Sequence, residues 1–247
     1  MLRHIGVKRT FEHNLRLAGL LSFTAGFTNV AGVLAFSVLT TNVTGHAATL
    51  ALELSQGEFR TARMIALWLS LFLSGAFLSS LYVTIQGRQR RTVYIVPLLV
   101  EMSILLIVAI YGHTYDGSLS MKEVFAGSLL FAMGAQNALV SMISGSVVRT
   151  THLTGMFTDL GIGLSEALVA KVVSKPLRNK LYLYLTIILV FLSGGMLGTY
   201  CFSAWSYHSF FVPAGLVLVI LFYDAFRKSI LLMKHHYTIN HPGNRSR

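Results

Sequence analysis

Two copies of a motif rich in threonine and glycine are the residues of this chain best suited to bind a solute. Residues 40–46 read TTNVTGH and residues 150–156 read TTHLTGM, each directly before an apolar run. Threonine or asparagine there can cap a helix start, where unpaired N–H groups and the positive end of the helix dipole favour an anion or a strongly polar group. The candidate substrate-binding residues of the two copies are Thr41, Asn42, Thr44, Gly45, Thr151, Thr154 and Gly155. Alternatively, these small and hydroxyl-bearing residues serve only close helix packing.

Amide side chains form a second candidate group. GFTN at 26–29 and GAQN at 134–137 place Asn29 and Asn137 at matching positions, with Gln136 beside the latter. An amide that faces lipid is costly, so each should face the protein interior or a cavity. We expect these three residues either to bind substrate or to form hydrogen bonds between helices.

Two acidic residues are candidates for ion or proton coupling. Glu101 lies in the apolar sequence VPLLVEMSILL, where a carboxyl group is either protonated or paired with a cation or polar partner. Asp159 follows the second threonine motif and lines a polar path if its segment enters the membrane. The alternatives are a neutral or snorkelled acid at Glu101 and an ordinary solvated acid at Asp159.

Enzymatic and metal chemistry have no comparable support in the sequence. Cys201 is the only cysteine, so no intrachain disulfide or cysteine metal site can form. No HExxH or paired-cysteine spacing is present. We expect no metal, no cofactor and no catalytic residue, and therefore a protein that is not an enzyme.

The composition indicates that these residues lie in a membrane protein. Apolar residues make up 54% of the 247 residues and charged residues 12%, and the mean hydropathy is +0.64. A soluble fold is close to excluded. The formal net charge of +11 reflects membrane topology rather than nucleic-acid binding, because the basic residues collect at the ends of apolar segments.

Six apolar stretches are each long enough to cross a bilayer as a helix. They lie at about 17–38, 62–86, 93–112, 125–147, 181–202 and 210–230. Six crossings place the basic clusters before the first span, at Arg88–Arg91, at 171–180 and after the sixth span on one side of the membrane. We therefore expect both termini to be cytoplasmic.

Two shorter apolar stretches, at about 43–56 and 153–170, are interrupted by acids and glycines. Counting both as crossings would place Arg88–Arg91 outside the cell, against the tendency of basic loops to be cytoplasmic. They are therefore interpreted as half-helices, re-entrant segments or interfacial helices.

The two halves of the chain repeat one another. GFTN, TTNVTGH, LSGAF and VP recur in the same order as GAQN, TTHLTGM, LSGGM and VP. We predict an all-α integral membrane protein with about six transmembrane helices in two inverted three-helix repeats, each with an interrupted or re-entrant half-helix. The cytoplasmic N-terminal segment covers 1–16, the first repeat 17–120, the second repeat 121–232 and the cytoplasmic tail 233–247.

At these motifs the sequence resembles the YoaK-like family of bacterial multi-pass membrane proteins of unknown function. GFTN with NVTGH, and AMGAQNA with TTHLTGMFTDLG, carry the resemblance. The family usually has Asp where Asn29 stands, and TGN where this chain has Thr44, Gly45 and His46. The resemblance implies an inner-membrane location and about six spans, and it supplies no substrate.

Inverted repeats with interrupted helices are typical of secondary transporters. The sequence thus favours a small transporter or channel of the bacterial inner membrane, in contact with the lipid bilayer and a small polar or anionic solute. It does not favour nucleic acid as a partner. The alternatives are a non-transporting membrane partner or assembly subunit and, less favoured, an intramembrane enzyme. A homo-oligomer is compatible with all three.

Overall fold

In the computed structural model, residues 11–87, 91–144 and 153–222 are described, and every regular element among them is helical. The helices are α1 Phe11–Phe36, α2 Val43–Gln56, α3 Phe59–Gln86, α4 Ile95–Tyr111, α5 Leu119–Ser144, α6 Leu153–Val169 and α7 Lys175–Trp205. Short 3₁₀ helices cover Arg91–Tyr94, Gly112–Thr114 and Ser206–Phe210. Residues 211–222, the C-terminal helical segment, are also α-helical.

Five stretches of the described chain are long and apolar enough to cross a membrane. They are Leu15–Phe36, Phe59–Gln86, Ile95–Thr114, Leu119–Met142 and Lys175–Phe222. The last has 48 residues, more than twice the roughly 20 that one crossing needs, and Ser206 interrupts it with a positive φ of 51°. Large apolar side chains such as Leu73, Ile85 and Met196 are exposed on the surface. This is the pattern of a multi-pass membrane protein.

Each of the six predicted spans coincides with a described helix, although the fourth, 125–147, is described only as far as residue 144 and the sixth, 210–230, only as far as residue 222. The two shorter predicted stretches are also helices: α2 has the predicted bounds, and α6 ends one residue before the predicted end. The prediction of an all-helical chain is confirmed in the described residues.

Side-chain contacts show the relative directions of the long helices. Phe11 lies against Tyr182 near the start of α1, and Phe36 lies against Tyr207 just beyond α7, so α1 and α7 run in the same direction. In contrast, the stacking of Phe36 on Phe125 places the end of α1 beside the start of α5, so these two run in opposite directions.

α3 runs in the same direction as α5. Near their first turns Arg63 and Glu123 form a 3.4 Å ion pair, and further along Phe72 lies beside Gly134. It follows that α1 and α3 are antiparallel, as are α5 and α7. α2 connects the first pair in sequence and α6 the second, so neither short helix carries the chain from one end of the bundle to the other.

Candidate functional site

The first threonine motif begins in a link, residues 37–42, that folds back along α1. A Cβ on Gly32 would lie only 2.7 Å from Thr40 Cγ2, so this glycine leaves space for the link. Asn29 Oδ1 accepts a buried hydrogen bond of 3.1 Å from the Thr41 backbone N–H. Because Asn29 precedes the end of α1 by about two helical turns, the link returns roughly 10 Å from that end.

α2 therefore begins beside the interior of the bundle. Asn42 caps it by accepting a 2.9 Å hydrogen bond from the Gly45 N–H, and a Cβ on Gly45 would collide with this capping side chain. The ring of His46, one residue further, meets the Trp68 ring of α3 edge to face at 5.6 Å between centroids. Gly57 then ends α2 with a left-handed φ of 76°, next to the start of α3.

The first-motif residues divide between structural and exposed positions. Thr41 and Asn42 hold the link and cap the helix through the hydrogen bonds above, whereas the Thr44 side chain is exposed and Gly45 is half-buried. His46 Nε2 lies 2.6 Å from the Leu39 carbonyl oxygen. A carbonyl oxygen only accepts, so Nε2 carries a proton and donates it in this bond.

In the second motif, Thr151 lies outside the described residues. Thr154 is exposed and Gly155 is half-buried in the first turn of α6. Leu153, the first residue of α6, packs against a small buried cluster of Ala25, Ala132, Met133 and Phe191. Because Phe191 lies near the middle of α7, α6 also begins at mid-depth in the bundle. Among the described residues, no hydrogen bond joins the second motif to the first.

Asp159 has a partner on α7 that sequence reasoning missed. Its Oδ2 accepts a 2.8 Å hydrogen bond from the Tyr184 hydroxyl, and Lys180 Nζ lies 5.6 Å from the centroid of the same ring. A partly buried acid usually has a hydrogen-bond donor beside it, and the LYLYL sequence at 181–185 was a signal for one. The contact gives Asp159 a role in joining α6 to α7.

The amide side chains differ in their surroundings. Gln136 Nε2 donates a buried 2.7 Å hydrogen bond to the Leu21 carbonyl oxygen and so joins α5 to α1. Asn29 accepts the hydrogen bond from the Thr41 N–H in the link. Asn137 is half-buried, and its Oδ1 is buried with no hydrogen-bond partner in the described part of the chain. Of the three, Asn137 retains the most capacity for a ligand.

Glu101 lies on the buried face of α4. Its relative exposure is 0%, and both carboxyl oxygens lack a hydrogen-bond partner among the described residues. Leu98 and Leu105, about one turn away on either side along the same helix face, are also fully buried. A carboxyl group in such apolar surroundings is neutral unless a cation reaches it.

Further polar atoms are buried without a partner in the described residues. They are Ser22 Oγ, Thr28 Oγ1, Thr40 Oγ1, Trp68 Nε1, Ser79 Oγ and Ser209 Oγ. Buried polar groups usually form hydrogen bonds, so each of these atoms can form one with a water molecule or a solute.

Two described surface cavities, of about 510 Å³ and 480 Å³, are lined by neither motif. No group of three potential metal ligands occurs in the described residues.

Close contacts at four glycines fix the helices that carry these groups, as the small-residue faces around Gly75 and Gly194 predict. On α1 and α7, a Cβ on Gly26 would collide with the Phe191 carbonyl oxygen, and one on Gly194 would collide with the Phe23 carbonyl oxygen. The two backbones therefore touch directly.

The α3–α5 pair has the same contacts. A Cβ on Gly134 would collide with the Phe72 carbonyl oxygen, and one on Gly75 with the Phe131 carbonyl oxygen. Each phenylalanine precedes a glycine by three residues, giving FTAG, FLSG, FAMG and FLSG in chain order. This recurring pattern was the signal for the contact.

Comparison with known proteins gives a family but no function. The family model described as "Protein of unknown function (DUF1275)" matches residues 17–223, which is most of the chain. No curated protein and no solved structure gives a significant match. The YoaK-like family suggested by the repeated motifs is this family, so the chain belongs to the DUF1275 family, whose function is not known.

Proposed function

We propose that the protein is a small secondary transporter built from two inverted repeats. The observation that carries the proposal is the placement of α2 and α6, which both begin at mid-depth and end beside the start of the next long helix. In transporters, interrupted helices of this kind present backbone donors near the middle of the membrane, where substrate binds. We interpret both as re-entrant half-helices.

The glycine contacts support the repeat. Under the correspondence of GFTN with GAQN and of LSGAF with LSGGM, Gly26 corresponds to Gly134 and Gly75 to Gly194. The contact of Gly26 with the Phe191 carbonyl then corresponds to that of Gly134 with the Phe72 carbonyl. The α1–α7 and α3–α5 pairs run in opposite directions, which is the relation expected between inverted halves.

The proposed substrate is a small polar or anionic solute. A helix start at membrane depth favours negative charge, and the candidate ligands Thr44, Thr154 and Asn137 are neutral hydrogen-bonding groups. We propose that Glu101 couples transport to protons, because its unpaired and fully buried carboxyl group can bind and release one as its surroundings change.

Proton-driven uptake into proteoliposomes tests this proposal. Vesicles that contain a pH-sensitive dye are supplied with a panel of small organic and inorganic anions under an imposed pH gradient. We expect a solute-dependent change of internal pH with the wild type. Glu101→Gln should abolish the proton signal and retain counterflow of labelled solute, whereas Glu166→Gln, at an exposed acid of α6, should behave like the wild type.

A proton signal that survives in Glu101→Gln would overturn the coupling role. Absence of any solute-dependent flux across the panel would favour the second candidate, a non-transporting membrane partner or assembly subunit, alone or as a homo-oligomer. That candidate is supported by the two described cavities, since neither is lined by the repeated motifs.

We further propose a bacterial inner-membrane location with both termini cytoplasmic. The direction of each long helix supports six crossings, with α4 and the C-terminal helical segment completing the two halves. Catalysis is not part of the proposal, because no serine–histidine or metal constellation occurs in the sequence, and neither is binding of nucleic acid, because the basic residues collect at segment ends.

A further inference from the structure

α1 is largely buried, but its first half borders an apolar groove of about 510 Å³ on the protein surface. Its apolar lining comes from three helical segments: Leu15, Gly19, Leu20 and Phe23 of α1, Val190 of α7 and Leu216 of the C-terminal helical segment. From Leu15 to Phe23 the groove extends about 12 Å along the helix. The candidate span begins at Leu15, so the groove lies at the depth of one layer of lipid chains.

Gly19 leaves open space in the groove, unlike its counterpart in the second half of the chain. A Cβ on Gly19 would meet no atom within 4 Å. Gly127 lies seven residues before Gly134, as Gly19 lies seven before Gly26, yet a Cβ on Gly127 would lie 2.6 Å from Leu71 Cδ1 and 3.7 Å from Trp68 Cδ1. The equivalent position in the other half is thus filled by side chains of the protein, and the position at Gly19 is open.

One charged residue, Arg16, borders the otherwise apolar groove at its N-terminal end. Its side chain is 52% exposed and forms a 3.9 Å ion pair with Glu12, one turn away. Exposed pairs of this kind are weak, so a phosphate group can compete with Glu12 for the guanidinium. Arginine at the end of a membrane span lies at the level of the lipid headgroups.

We propose that this groove binds one acyl chain of an anionic phospholipid, whose phosphate group is bound by Arg16. In a membrane an apolar groove at this depth is in contact with lipid chains, and the adjacent guanidinium selects a negatively charged headgroup. Under the topology proposed above the lipid belongs to the cytoplasmic leaflet, whose surface is anionic. The lipid site does not depend on transport activity.

Native mass spectrometry of the full-length protein in detergent, titrated with phosphatidylglycerol or phosphatidylcholine, tests the proposal. We expect the wild type to retain one phosphatidylglycerol in preference to phosphatidylcholine. Gly19→Leu should fill the groove and weaken retention about tenfold without loss of folding, because its side chain enters open space. Arg16→Gln should reduce the preference for phosphatidylglycerol about fivefold and leave retention of phosphatidylcholine unchanged.

The matched control is Gly161→Leu, since Gly161 of α6 also has no atom within 4 Å of a Cβ and lies outside the groove. It should retain lipid like the wild type. Equal retention by the wild type and Gly19→Leu would overturn the site, as would an Arg16→Gln variant with unchanged headgroup preference. A dimer that Gly19→Leu alone dissociates would also overturn it and assign the groove to a second copy of the chain.

Discussion

At the scale of single residues, Asn29 is the clearest case of a polar side chain with a defined structural partner. Asn29→Ala removes the acceptor of the Thr41 N–H and leaves that donor buried and unpaired. We expect a loss of roughly 1–3 kcal/mol in the free energy of unfolding, measured by thermal unfolding in detergent. Asn137→Ala is the matched control at the corresponding position, and it should cost less because Asn137 Oδ1 has no described partner. Equal losses would contradict the distinction.

Replacing Glu101 should not lower the free energy of unfolding, in contrast to Asn29→Ala. A buried acid with unpaired oxygens destabilises the fold, so Glu101→Leu should leave the unfolding free energy unchanged or raise it by about 1 kcal/mol. Gln136→Leu, which loses the bond to the Leu21 carbonyl, should lower it in the same assay. A marked loss of stability in Glu101→Leu would show that the acid is a structural element and would remove the reason to assign it a coupling role.

At the scale of elements, the FxxG contacts set the distance between paired helices. Gly26→Ala and Gly134→Ala each place a methyl group against a backbone carbonyl, which cannot move as a flexible side chain can. We expect each to cost roughly 1–3 kcal/mol in thermal unfolding. Gly161→Ala, at an open helical position, should be close to neutral. If Gly26→Ala and Gly134→Ala differ strongly in their effect, the two contacts are not equivalent.

Hydropathy located every described α-helix but not every helix end. Apolar stretches mark the part of a helix in hydrocarbon, whereas α7 begins six residues before its predicted span, in the polar sequence at Lys175. The Ser174 cap, whose hydroxyl accepts from the Leu177 N–H, and the proline in the first turn were available as signals for that start.

The helix starts that carry the candidate site were predictable from the sequence, but their tertiary contacts were not. The repeated motifs correctly marked the start of α2 and the beginning of α6, since threonine, asparagine and glycine have local reasons to occur there. The fold-back to Asn29 and the contact between Asp159 and Tyr184 depend on tertiary packing, which no local pattern encodes.

At the scale of the whole molecule, the directions of the helices limit the number of crossings. α3 and α5 run in the same direction, so α4 between them runs in the opposite one. α1 is antiparallel to α3, and α5 is antiparallel to α7. The chain between the helices of each pair, which includes α2 or α6, therefore begins and ends at the same end of the bundle. The turn after α2 and the link at 112–118 therefore lie at one end of the bundle, and the turn after α6 lies at the other.

The measurement that tests this account most directly is the labelling of single cysteines from outside intact cells with a membrane-impermeant thiol reagent. In a Cys201→Ala background, Glu58→Cys after α2, His113→Cys in the link after α4 and Lys171→Cys after α6 occupy exposed positions. We predict that Glu58→Cys and His113→Cys are labelled and that Lys171→Cys reacts only after the cells are opened. If α2 and α6 were full crossings, Glu58→Cys and His113→Cys would be protected like Lys171→Cys, and that result would contradict the inverted arrangement.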